Sequence, residues 1–152
     1  MDTQTFDEIV KEATGSTHAL LEEFSVAAYA IRSHNPKIMI DGCKALIELT
    51  HSYGLSFGLN LKTKAIETLV NKAKEYALSG DRLYNFKCNY DWQDETPYAR
   101  LTGYMEKHLV SCADLITGKL KATPEMVAEK MGDCLNYSVL LYAVIKERYA
   151  KC

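Results

Sequence analysis

Two rows of hydrophilic side chains at helical spacing are the residues of this sequence best suited to chemistry. The first is Arg100, Lys107, Ser111 and Asp114, and the second is Glu129, Asp133, Asn136 and Tyr137. Side chains three or four apart share one face of a helix, so the carboxylates of Glu129 and Asp133 project together. Such a pair can share a hard cation such as Mg²⁺, which takes oxygen ligands and keeps several waters beside substrate phosphates. A solvated helix face has the same pattern, and pairing of Asp133 with Lys130 is the simple alternative. His108 falls on the apolar stripe Leu101, Met105, Cys112, Leu115 and Ile116. That position suits a core histidine as readily as a ligand.

A third group lies in residues 80–95, which have no helical period and open on Gly80-Asp81-Arg82-Leu83-Tyr84-Asn85-Phe86-Lys87. Arg82 and Lys87 are suitable phosphate-binding cations, the guanidinium being suited to bidentate contact. Asn85 can hydrogen-bond a base or ribose, and Tyr84 or Phe86 can stack on a base. The competing role is structural, with Phe86 and Trp92 anchoring the loop while its charges stay hydrated. Loops of this length inside compact domains often carry function.

Nearly every periodic segment that would position these residues reads as helix. A short helix is expected over residues 5–14. The next begins after a Ser16 or Thr17 cap and runs to about Ser33, with Leu20, Leu21, Phe24, Ala27, Ala28 and Ile31 inward. Asn35-Pro36 interrupts the chain. A third helix spans about 37–53 and stops at Gly54, followed by a glycine-punctuated turn at 55–61. A fourth, over 62–79, is expected to bury Ile66, Leu69, Val70, Ala73, Tyr76 and Ala77. Thr96-Pro97 and Thr123-Pro124-Glu125 each give a cap, a proline at the first helical position and, in the second case, an acidic first turn. They start helices to about Thr117 and Tyr149. The expectation is an all-α chain of about six helices in one compact domain over residues 1–152.

Composition narrows the function classes. The chain has 152 residues and a net charge of −2, so no basic field favours nucleic acid. No apolar run reaches the ~18 residues of a membrane span, and Met1–Glu8 is acidic and polar, unlike a signal peptide. A cytoplasmic protein with neither a nucleic-acid nor a membrane partner is expected. Five cysteines without Cys-x-x-Cys spacing argue against a disulfide framework or zinc site. Cys43, Cys112 and Cys134 fall in helical patterns and are expected to pack as small apolar residues. No Walker, dinucleotide-glycine, HExxH or GxSxG motif occurs. Residues 134–145 are apolar nearly all round, so that helix must be buried somewhere, and a homo-oligomer, a dimer or tetramer, is expected.

Asn85-Phe86-Lys87 after Gly80-Asp81-Arg82, then Thr96-Pro97, Lys107-His108, Asp114 and Gly132-Asp133-x-x-Asn136-Tyr137 with Leu140-Leu141 resemble a bacteriophage family of nucleotide-modification-associated all-α proteins. The resemblance covers about residues 79–148 and leaves residues 1–60 as a helical extension. That family is similar to the MazG and dUTPase-like nucleoside triphosphate pyrophosphohydrolases, which bind Mg²⁺ through E-x-x-E and E-x-x-D motifs. The overlay places Ser111-x-x-Asp114 on the first and Lys130-x-x-Asp133 on the second, with Glu129 as a substitute carboxylate. The resemblance thereby implies metal ligation by Asp114, Glu129 and Asp133, catalysis by Asp133, Glu129 and His108, and nucleotide contacts from Arg82, Tyr84, Asn85, Phe86, Lys87, Lys107, Asn136 and Tyr137. Two functions follow. One is Mg²⁺-dependent pyrophosphohydrolysis of a nucleotide in an infected bacterium. The other is binding of a nucleotide or nucleotide-derived signal without turnover, as an anti-defence protein would do. A helical interaction protein is the third possibility.

Overall fold

The computed structural model describes residues 5–6, 8–10, 18–71 and 97–150, all helical or in the turns between helices, with no strand among them. The chain is all-α, as its periodicity indicates. Residues 5–6 and 8–10 are helical; the elements that position the site are α1 (His18–Ala30), α2 (Pro36–Leu55), α3 (Leu61–Ile66), α4 (Pro97–Thr117) and α5 (Pro124–Ala150). At its end α3 widens into a π-helical turn, Glu67–Asn71.

Local signals explain most boundaries. Asn35 caps α2, its Oδ1 accepting from the N–H groups of Lys37 and Ile38 at 3.1 and 3.3 Å, and Pro36 fills the first helical position. The α1–α2 reversal places His34 at φ +59°, so α1 ends three residues before Ser33. Thr123 caps α5 by accepting from the Met126 N–H at 3.2 Å. Gly118 ends α4 in the left-handed region at φ +79°, while the Leu120 N–H returns to the Asp114 carbonyl at 3.0 Å. Ser16, Thr17 and Thr96 lie outside the described residues.

The core is a single contiguous cluster centred on α5. Ile31, Leu46, Leu101, Met105, Met131, Leu135, Leu141 and Ile145 are fully buried in it. α5 packs against α2 most extensively, then against α4 and α3, while α1 covers α2 and touches α4. An Arg32–Glu106 ion pair joins the end of α1 to α4. Thr50 and Ser138 are buried hydroxyls that donate to the Leu46 and Cys134 carbonyls at 2.7 Å each, so both are satisfied.

Three expectations are corrected. Gly54 does not stop its helix: it is the buried penultimate residue of α2, and the reversal falls instead at Gly58, φ +73°. The helix expected over 62–79 has another inward face. Leu61 and Ala65 are buried, Leu69 is half-buried, and Ile66 and Val70 are 64% and 46% exposed. Leu61 sets this phase by packing on the bare Cα of Gly54, and the wider π turn changes the phase again. Ala73, Tyr76 and Ala77 lie outside the described residues. Arg100, expected beside Lys107 on a hydrated face, is only 7% exposed. Burial at the first turn of α4 follows what packs across that end, which periodicity does not encode.

α1 and α2 approach most closely at Gly42, where a Cβ would lie 2.8 Å from Ala30 Cβ, 2.9 Å from Ile31 Cγ2 and 3.0 Å from the Ala27 carbonyl oxygen. None of these neighbours is a flexible side-chain tip. Gly42→Ala is therefore expected to destabilise the fold by about 1–3 kcal/mol through overpacking. Gly103→Ala, where a Cβ meets nothing within 4 Å, should stabilise it by about 0.5–1 kcal/mol through helix propensity. Urea unfolding followed by circular dichroism measures both.

Candidate functional site

The carboxylates of α5 open into a cleft against α3. Its walls are Leu61, Lys64, Ala65 and Thr68 on one side and Glu125, Ala128, Glu129, Gly132, Asp133 and Asn136 on the other, around about 500 Å³. Glu125, Glu129 and Asp133 stand at successive four-residue intervals, so all three line one side of α5. Lys64 faces them from the last turn of α3. The cleft is within the size range of ligand pockets, about 300–1,000 Å³.

Behind the cleft, Asp133 meets α4. Its Oδ2 is 3.7 Å from His108 Nδ1, an electrostatic contact longer than a hydrogen bond. The imidazole lies over the Tyr137 ring, centroids 5.0 Å apart and planes 24° from parallel. Burial holds His108 below the ordinary histidine pKa. Asp133 pulls upward, and the Lys107 and Lys130 ammoniums reinforce the lowering. Tyr137 is pushed above the usual phenol value, first by burial and then by Asp133 and Tyr104, so it stays a protonated donor at neutral pH. Lys130 pairs with Glu129, Nζ to Oε1 at 3.2 Å, and not with Asp133 as the simple alternative supposed.

The sequence-predicted residues thus separate into groups. Glu129, Asp133 and Asn136 share the cleft, and His108 and Tyr137 share Asp133 from the other side. Lys107 reaches His108 by its charge only and does not line the cleft. Asp114 is half-buried near the end of α4 and is likewise absent from the cleft wall. Among the described residues no three His, Cys, Asp or Glu side chains gather as a metal-binding group. Arg82, Tyr84, Asn85, Phe86 and Lys87 lie outside the described residues, as does Trp92. Sequence reasoning missed Glu125, Lys64 and Thr68. Glu125 was legible as one more four-residue step before Glu129, whereas Lys64 and Thr68 required the position of α3.

Among the described residues, the cysteines lie in the core, away from the cleft. Cys43, Cys112 and Cys134 are buried and free. Burial pushes the Cys43 thiol up to about 12. The hydrogen bond with Cys134, together with burial, raises Cys112 further, and its thiol donates to the Lys130 carbonyl at 3.4 Å. Cys43 and Cys112 are therefore thiols at neutral pH. Among the described residues no helix is long and apolar enough to cross a membrane.

No protein-family model, curated protein or solved structure matches this chain.

The folded His108 takes up a proton less readily than the unfolded chain does. Between its lowered value and the ordinary ~6.5 the unfolded state binds more protons, so stability falls as pH falls through that window. Without added metal, the unfolding midpoint temperature should be lower at pH 5.5 than at pH 7.5, and His108→Gln should shrink the difference. An NMR titration should place the His108 midpoint below that of a model peptide. Asp133→Asn should move it lower still, because the carboxylate opposes the burial effect.

Proposed function

We propose that this chain binds the phosphates of a nucleotide in the α3/α5 cleft, together with Mg²⁺. The observation that carries the reading is that Glu129, Asp133 and Asn136 share one cleft with Lys64. Carboxylate and amide oxygens are the donors a hard cation takes, and Mg²⁺ is commonly held by one or two carboxylates while phosphates and waters complete its shell. Glu129 and Asp133 would hold the cation, with Glu125 one turn beyond them. Lys64 would neutralise a phosphate oxygen directly, in the role that sequence had given to Lys107. Asn136 can donate its amide N–H and accept from a hydroxyl, which suits a sugar or base edge. The resemblance of the DxxNY segment to phage nucleotide-modification proteins supports the same ligand class.

Hydrolysis of the bound nucleotide is the second reading, favoured by the imidazole of His108 beside Asp133. Bound Mg²⁺ would lower the pKa of a coordinated water. Because Asp133 stands between the cleft and His108, the proton released as that water attacks a phosphoanhydride would pass to the Asp133 carboxylate and from there to His108, whose ring packs on Tyr137. The products would be a nucleoside monophosphate and pyrophosphate.

Equilibrium binding to a panel of ribo- and deoxyribonucleotides, with and without Mg²⁺, tests the proposal. Retention is expected to depend on the cation. Asp133→Asn should remove that dependence, and Lys64→Ala should weaken binding ten- to a hundredfold, roughly the 1.5–3 kcal/mol of a charge-assisted contact. Lys107→Ala should cost less than Lys64→Ala. Nucleotide recovered unchanged after denaturation identifies a binder, and Mg²⁺-dependent monophosphate identifies the hydrolase. A panel in which no nucleotide is retained, with or without the cation, would reject both.

A further inference from the structure

A second surface, sharing no lining residue with the α3/α5 cleft, runs between α1 and α2. Its floor is made of small residues, Ala19, Ala27 and Ala30 on α1 with Gly42 and Ala45 on α2. The close crossing at Gly42 leaves little side chain between the two helices. A trough of about 710 Å³ remains, with Val26 and Ile38 as its shoulders. These are apolar residues left 68% and 45% exposed. Isolated exposed apolar side chains are ordinary, but here they border one continuous apolar hollow. The trough is open to solvent, which suits an element laid onto it more than an enclosed small molecule.

Every ionisable residue lining the trough is acidic: Glu22, Glu23, Asp41 and Glu48. Glu48 is engaged by Lys62 of α3. Glu23 on α1 and Asp41 on α2 are exposed and make no ion pair among the described residues. An apolar hollow between carboxylates on both rims specifies its occupant by charge. An amphipathic helix lays its apolar face into such a groove, and cations beside that face meet the rims.

We propose that the α1/α2 trough is a docking site for a basic amphipathic helix of a partner protein. Its Leu- or Phe-type side chains would sit between Val26 and Ile38, and its Lys or Arg residues would reach Glu23 and Asp41. Backbone approach is possible where the floor is Ala27, Ala30, Gly42 and Ala45, with Leu49 as a larger apolar residue on the α2 side of the lining.

The test uses the isotopically labelled full chain and two side-chain-bridged helical peptides of about four turns each. Both peptides carry Leu along one face; one has Lys on the flanks and the other has Glu in the same places. The Lys peptide should bind at least tenfold tighter, with amide shifts confined to α1 and α2 and an affinity that falls as salt is raised. The double variant Glu23→Lys with Asp41→Lys should remove that preference or reverse it, and Val26→Asp should weaken both peptides. These positions are exposed, so circular dichroism of each variant is expected to match the parent. Equal affinity for the two peptides, no binding of either, or shifts outside the trough would overturn the proposal. So would a concentration-dependent dimer whose shifts map to the same trough, since a second copy would then be the occupant.

Discussion

The burial of α5 on every side is the constraint on which the rest of the structure depends. Between Met126 and Ile145 each residue of this helix is at least partly buried except Glu129. A helix apolar nearly all round is stable in water only if other elements surround it, and here α2, α3 and α4 do so within one chain. Residues 134–145 are thereby all at least partly buried within one chain. The same arrangement fixes the cleft: where α3 is short and turns into a π segment, the enclosure of α5 is incomplete, and Glu129 marks the gap. Glu129 is left exposed at that gap, and Glu125 and Asp133 line the same side of the helix.

Asp133 occupies the boundary between the gap and the interior. One side of its carboxylate borders the cleft, and the other lies beside a half-buried imidazole stacked on Tyr137. The two neighbours compete for the same charge. A proton on His108 would be stabilised by Asp133, but a cation held in the cleft would draw on that carboxylate and leave the imidazole neutral. Burial already favours the neutral ring. In the proposed function, cation binding and an unprotonated His108 therefore reinforce each other, and the pairing sets a direction for pH dependence: acid opposes the bound state.

Signals carried by backbone chemistry were legible in sequence, whereas those set by packing partners were not. Thr123-Pro124 and Gly118 bound their helices where cap and stop residues indicate. The stripe Leu101, Met105, Cys112, Leu115 and Ile116 is buried as its period requires. The four-residue step from Glu129 to Asp133 puts both carboxylates on one side of α5, and both line the cleft. Arg100, Ile66 and Gly54 read differently because their burial depends on what lies across from them. A positively charged residue in phase with Lys107 has no local mark of being covered, and a glycine near a helix end looks like a stop until a leucine is seen packed on it. Lys64 was passed over for the same reason, since it reaches the site from another helix.

The α1/α2 trough and the α3/α5 cleft both descend from small residues on α2. Gly42 admits α1 so closely that the space between those helices is a shallow trough floored by alanines. Gly54 admits Leu61, where a Cβ would lie 2.7 Å from its Cδ1, and Leu61 is both the anchor of α3 and part of the cleft wall. The remaining face of α2 is committed to α5. Helix α2 therefore sets the distance of α1 and α3 from the core with two missing side chains. The trough is shallow because the contact at Gly42 is tight, and the cleft has its opposing cation because Leu61 seats α3 where Lys64 can face Asp133. Backbone-close packing of this kind transmits small changes poorly along a soft side chain but directly through helix position. A methyl group added at Gly54 thus acts on the cleft without being part of its lining, whereas one added at Gly42 also enters the floor of the trough.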